Sequence, residues 1–250
     1  MAKTRADDRM VELGIALSRE HAAALIMTGD VLQGDARVAS AGATLDALAE
    51  LRMRGEALPY VSRGGVKLAS ALDVFGVMVA AKRCMDVGAS TGGFTDCLLA
   101  HGAREVVAVD VAYGILAHKL RRDPRVRNME RTNARALTAE SCGGLVDLTV
   151  VDASFIALYK LIDSIARCTR PGGELVSLIK PQFEANRFAV AQGHGVIRDA
   201  RVREQAIDGA VDAVKRGGFD ILGVTDCVLP GPKGNVEAFV YARRIGLKNT

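Results

Sequence analysis

Residues 85–99 read MDVGASTGGFTDCLL. Cys84, Met85 and Val87 make a short apolar strand around Asp86, and Gly88 to Gly93 carry nothing larger than threonine. From Phe94 the spacing becomes helical. Strand, glycine-rich loop and helix, in that order, form the turn at which an open α/β sheet meets its ligand, beyond the carboxyl end of the first strand. Glycine there lets the backbone bend sharply and lets a ligand approach it closely.

Downstream the alternation repeats. VVAVDV (106–111), VRNME (126–130), LVDLTVVDAS (145–154) and GGELVSLIKP (172–181) read as buried strands. Between and after them, YGILAHKLRR (113–122), IALYKLIDSIARCT (156–169) and DARVREQAIDGAVDAVKRGG (199–218) read as helices. Near-continuous Val/Ile/Leu strands alternating with helices predict a parallel sheet covered on both faces. FDILGVTD (219–226) and VEAFVYARR (236–244) have no helix between them and are expected to form an antiparallel pair at one edge.

Upstream, residues 1–58 follow another pattern. DDRMVELG predicts a short helix stopping at Gly14, and LSREHAAALIMTGD one capped by Ser18 and ended by Gly29. VLQGDARV reads as a tight hairpin. These elements form a small first domain over 1–58. A link over 59–64 leads into a large domain over 65–250, whose first helix is VKLASALDVF (66–75).

The 250 residues are 49% hydrophobic and 25% charged, an ordinary globular balance. No stretch nears the roughly 18 apolar residues of a membrane helix. The start lacks the apolar core of a secretory signal, so a cytoplasmic protein is expected. Five widely spaced cysteines without a C-x-x-C pair fit reduced, buried thiols, and the four histidines show no ligand spacing, so no metal is expected. Net charge is +4, yet residues 1–58 hold seven Lys/Arg against nine Asp/Glu. RNA binding by that part must rest on placement of cations, not on their number.

Asp86 and Asp110 are expected at the ends of successive strands. A carboxylate 22 residues after Gly88 suits a ribose, whose two hydroxyls it can accept. A dinucleotide and S-adenosylmethionine both present one. The dinucleotide pattern G-x-G-x-x-G is missing, and a second acid at Asp86 would repel a pyrophosphate while suiting an ammonium and a sulfonium. Charge favours S-adenosylmethionine.

The loop also resembles that of the FtsJ-type RNA ribose methyltransferases and, more closely, of the haemolysin A (TlyA) family of rRNA methyltransferases. VSRGGVKL, VDVAYGILAHKLRRDPRV, ERTNAR, VDASFIAL, LIKPQFEA and GPKGNVEAF extend the resemblance, in order, over nearly the whole chain. It implies a doubly wound, Rossmann-like class I methyltransferase sheet, mostly parallel with the last strand antiparallel, and a small N-terminal α+β RNA-binding domain. It also implies cofactor contacts at Gly88, Ser90, Gly92, Phe94, Asp110, Asn133 and Asp152, with Phe94 where many relatives carry Trp and Asn133 where many carry Asp.

FtsJ-type enzymes use a Lys-Asp-Lys-Glu tetrad, matched here by Lys67, Asp152, Lys180 and Glu237. Methylation of a ribose 2′-OH profits from a base, and an ordinary lysine, with a pKa about 10.4, is protonated at neutral pH. A neighbouring lysine and partial desolvation favour the neutral amine, whereas nearby acids oppose it. The expectation is that Lys180 is the general base, Lys67 assists, and Asp152 and Glu237 orient the amines.

The first domain resembles the small RNA-binding module of the ribosomal-protein S-four type, which assigns Lys3, Arg5, Arg9 and Arg19 to RNA. Arg63, Lys119, Arg121, Arg122 and Lys233 are expected to add contacts, and the link LPYVSRGG to couple RNA docking to Lys67. The reading is thus a monomeric cytoplasmic enzyme that methylates the ribose of a cytidine in ribosomal RNA or ribosomal subunits, without a membrane partner. A non-catalytic RNA-binding or ribosome-assembly factor and a membrane-active haemolysin are the competing classes.

Overall fold

A computed structural model describes residues 3–33, 36–47, 49, 51–54, 59–231 and 234–246. The small module comprises β1 (Lys3–Arg5), α1 (Ala6–Glu12), α2 (Arg19–Met27), β2 (Val31–Gln33), β3 (Ala36–Arg37), β4 (Thr44–Asp46) and β5 (Leu51–Met53). Ser18 caps α2, its Oγ accepting from the His21 amide at 3.2 Å. Ala6, Met10, Ala22, Leu25, Ile26, Val31 and Leu51 close around a core of their own. The hairpin strands β2 and β3 are joined by β5, and β1 pairs with β4. These additional strands are too short to show a period in sequence.

The large domain opens with α3 (Arg63–Phe75) and β6 (Arg83–Val87), followed by α4 (Gly93–Ala100), β7 (Glu105–Val109), α5 (His118–Arg121) and β8 (Val126–Met129). Then come β9 (Val146–Val151), α6 (Ile162–Cys168), β10 (Thr169–Ile179), α7 (Pro181–Glu184), α8 (Arg187–Gln192), α9 (Ala200–Arg216), β11 (Phe219–Asp226) and β12 (Ala238–Arg244). Arg63 and Gly64, expected in the link, already belong to α3. Helix over 113–122 is confined to α5. Upstream of it the backbone is committed to other contacts: Gly114 takes φ +80°, its amide donates to Glu130, and the Ala117 amide donates to the Thr91 carbonyl.

The seven strands run in the order β11-β12-β10-β9-β6-β7-β8, and β12 alone is antiparallel to its neighbours. One apolar layer packs α3 and α4 against one face through Leu68, Leu72, Leu98, Val106 and Phe239. Another packs α6 and α9 against the other through Leu161, Ile165, Val214 and Phe219. Each such fully buried side chain contributes about 1.5–3 kcal/mol. All five cysteines are free and buried. Chain order reverses at β6, so the cleft above it lies between the loops that leave β6, β7 and β9.

Candidate active site

The loop after β6 is pinned by its neighbours. The Gly88 and Ala89 amides donate to the Val109 carbonyl at 2.9 and 3.1 Å, and the Asp152 amide donates to the Val87 carbonyl at 2.9 Å. Gly88 takes φ +87°, and a Cβ there would stand 2.7 Å from the Asp152 carbonyl oxygen. Only glycine lets these two strand ends approach so closely. Ser90 sits at φ +49° without that freedom, its amide donating to Asp110 Oδ2 at 2.8 Å. Asp110 Oδ1 accepts from the Ala112 amide at the same distance. Held through both oxygens, the Asp110 carboxylate keeps lone pairs for a ligand.

Two cavities meet at this loop. One, about 350 Å³, is lined by Gly88, Ser90, Asp110, Asn133 and the apolar Val109, Ile115 and Ile156. Asn133 Oδ1 accepts from the Arg135 amide at 3.0 Å, which fixes its side chain. The other, about 230 Å³, is lined by Lys67, Asp152, Lys180, Glu237 and Phe94. Gly88, Ser90, Asp152 and Ser154 border both. A largely apolar slot holding a carboxylate and an amide suits a nucleoside, and the adjoining cavity with its two lysines suits the chemistry.

All four tetrad residues therefore reach one cavity. Lys67 shares the buried face of α3 with Leu68, Ala71 and Leu72, and its ammonium donates to Glu237 Oε2 at 2.6 Å. The two residues are 8% and 1% exposed, so each charge depends on the other for stabilisation. Glu237 Oε1 is buried without a hydrogen-bond partner among the described residues. Lys180, directly after β10, lies 2.6 Å from Asp152 Oδ1, directly after β9, and donates to Ser154 Oγ at 2.8 Å. Its approach to Asp152 is off the hydrogen-bond axis, so Asp152 Oδ1 makes an ion pair but no hydrogen bond among the described residues. Phe94 is buried and stacks near Phe239 with ring centroids 6.2 Å apart, forming an apolar wall.

Two expected contacts sit elsewhere. Asp86 is 0% exposed and borders neither cavity; Thr95 Oγ1 of α4 donates to its Oδ2 at 2.7 Å. The strand runs one residue beyond Asp86, and the side chain turns under the loop instead of into the cleft. Burial, chiefly, pushes its carboxyl up to about 7, and nearby Asp152 adds to the rise. Gly92 also leaves the ligand wall, since a Cβ there would lie 2.2 Å from Leu120 Cδ1. It makes room for α5 and lines neither cavity.

Sequence reasoning missed Ser154, which lies two residues after Asp152 and was detectable only by that proximity. Ala24 and Thr28 of α2 also border the lysine-lined cavity, and no sequence signal marks them.

The expected RNA contacts differ in their freedom. Lys3 is exposed. Arg5 makes a two-point contact with Asp7 at 2.9 and 2.6 Å, and Arg19 pairs with Asp8 at 2.9 Å. Arg9 donates to the Ala49 carbonyl and to Glu12, so part of its fork has a structural task. Arg63 borders the cavity beside Lys67. Lys119 pairs with Asp96 and Arg121 with Glu130, while Arg122 is exposed. Lys233 lies outside the described residues.

With this geometry in place, the similarities to known proteins are specific. The FtsJ-like methyltransferase family matches residues 60–244. The 16S/23S rRNA (cytidine-2'-O)-methyltransferase TlyA of Mycobacterium tuberculosis is 44% identical over 242 residues, covering 96% of this chain and 90% of the relative. Hemolysin A of Brachyspira hyodysenteriae is 38% identical over 238 residues, covering 95% of this chain and 98% of that protein. A solved structure from Streptococcus thermophilus is 37% identical with a TM-score of 0.76, covering 98% of this chain and 90% of that one. The chain belongs to the TlyA rRNA methyltransferase/hemolysin family and is a methyltransferase with an FtsJ-like domain.

Proposed function

We propose that this enzyme transfers a methyl group from S-adenosylmethionine to the 2′-hydroxyl of a cytidine ribose in ribosomal RNA. The observation that carries the reading is the meeting of Lys67–Glu237 and Lys180–Asp152, each pair at 2.6 Å, in one cavity beside the Gly88 loop. The slot with Asp110 and Asn133 fits the nucleoside of the cofactor, and Asp152 and Ser154 stand where that slot opens toward the lysines. When bound there, the cofactor supplies an electrophilic methyl group.

The chain's own residues do the rest. Lys180 has three positions on its amine: one donates to Ser154, one faces Asp152, and one is left for the substrate hydroxyl. In its neutral form Lys180 takes the proton that the 2′-hydroxyl gives up on methylation. Lys67, held by Glu237, places a fixed positive charge where the oxygen gathers electron density. Glu237 Oε1, buried and without a partner among the described residues, is the acceptor left to orient the sugar.

The first domain, the link over 59–62 and the start of α3 make the RNA-docking part, with Lys3, Arg5, Arg19 and Arg63 as contacts. The enzyme works as a cytoplasmic monomer on ribosomal subunits. One relative carries a hemolysin name, but among the described residues no helix is long and apolar enough to cross a membrane. The test is mass mapping of ribose methyls in rRNA from cells with and without the protein, joined to methyl transfer by purified enzyme onto ribosomal subunits. A cytidine that loses its ribose methyl and regains it in vitro supports the reading; identical maps reject it.

A further inference from the structure

A third cavity, about 960 Å³, lies between the small module and the methyltransferase domain. It is about four times the volume of the lysine-lined cavity and shares Arg63 and Pro230 with it. Arg63 stands between the two, donating to the Pro230 carbonyl at 3.5 Å with Asp30 of the small module 4.0 Å away.

The walls have two chemical characters. Among the described residues, Arg37, Arg54, Arg63 and His21 bring donors, against the single carboxylate of Asp30. The side chains of Arg37 and Arg54 are exposed and have no ion-pair partner among the described residues. His21 Nδ1 accepts from the Leu17 amide at 3.1 Å, so its remaining proton sits on Nε2 as a neutral donor. Leu25, Met53, Leu229 and Pro230 supply an apolar surface beside these donors. Two guanidinium groups without an ion-pair partner among the described residues, set beside an apolar wall, fit a single-stranded polynucleotide, whose phosphates and unstacked bases need both. An apolar small molecule would leave the arginines without a use.

Resting on the function proposed above, we infer that this cavity is the subsite for the nucleotides flanking the methylated one. The strand leaves the catalytic cavity past Arg63 and Pro230, its phosphates meet Arg37 and Arg54, and its bases lie against Leu25 and Met53. Recognition of the flanking sequence is thereby built from both domains. It does not reside in the small module alone.

The test uses the full-length enzyme, its rRNA substrate and two variants, Arg37→Glu/Arg54→Glu and Met53→Trp. RNA binding is measured against salt, alongside methyl transfer, S-adenosylmethionine affinity and thermal unfolding. The double variant is expected to bind RNA at least tenfold more weakly, and its plot of log affinity against log salt to flatten by about 1.4, or about 0.7 per phosphate contact on a single strand. Met53→Trp, which narrows the cavity along that wall, is expected to lower kcat/KM for RNA at least tenfold with cofactor affinity and melting unchanged.

A 4-thiouridine placed next to the target nucleotide should crosslink to the Leu25 or Met53 segment of the unmodified enzyme, whatever the variants do to folding. RNA binding within twofold of wild type in both variants, or crosslinks mapping only outside this cavity, overturns the proposal. So does a loss confined to the arginine variant, which would mark a diffuse charge effect. If the wild-type enzyme binds rRNA without methylating it, the proposed reaction fails while binding and crosslinking still decide the subsite.

Discussion

The Lys67 ammonium donates to Glu237 Oε2 at 2.6 Å across 170 residues of chain, and both side chains are nearly closed to solvent. A lysine on the buried face of α3 is tolerable only because β12 begins beside a matching acid. Removing one member leaves the other charge buried and alone. Glu237→Ala should therefore lower unfolding free energy by about 3–5 kcal/mol, and Lys67→Met/Glu237→Leu by much less. Urea titrations of both variants check this; equal losses would deny the pair its electrostatic role.

Lys180 donates to Ser154 while it faces Asp152, leaving one amine position for substrate. Lys180→Ala should reduce methyl transfer by 10²–10⁴-fold, the usual worth of a general base. Cofactor affinity, measured by calorimetry, should stay within about threefold, because the nucleoside slot does not include Lys180. Retention of more than about a tenth of the wild-type rate would reject Lys180 as the base.

Gly88 packs directly against the strand end that carries Asp152. Gly88→Ala forces a Cβ against the Asp152 carbonyl and strains φ +87°. The expected result is cofactor binding weakened tenfold or more and a stability loss of about 1–3 kcal/mol, since strain and a clash act together. Binding calorimetry and a thermal melt read both. A variant with normal affinity would show that the loop moves away from Asp152 without cost.

Asp86 gives a pH signature. Burial lifts its carboxyl to about 7 from an ordinary 3.8. Between those two values the folded protein holds a proton that the unfolded chain has released. Stability from this group is complete below about pH 4 and is lost as pH rises through about 7, by at most about 4 kcal/mol. Asp86→Asn should flatten that decline. Unfolding free energies from pH 4.5 to 8 provide the check, and parallel curves for the two proteins would contradict it.

The large domain was legible because each of its main strands is a buried Val/Ile/Leu run and the antiparallel β11–β12 pair lacks an intervening helix. Chain order and the glycine loop then located the cleft. What sequence could not decide was which way particular side chains point. Asp86 and Asp110 look alike as strand-end acids, yet α4 presents Thr95 to the first and the loop amides of Ser90 and Ala112 reach the second. Gly92 looks like a ligand glycine and instead makes room for Leu120. The two- and three-residue strands of the small module carry no period, so only packing reveals them. The net −2 of that module also becomes intelligible: Asp7, Asp8 and Glu12 are spent holding Arg5, Arg19 and Arg9 in place.

Ala24 and Thr28 of helix α2 border the same hollow as Lys67 and Lys180. The appendage is thus masonry of the reaction chamber, and a chain trimmed before α3 would present its lysines to open water. Grafting a foreign docking module onto this catalyst would require recutting that wall, so target choice and turnover are bound to change together.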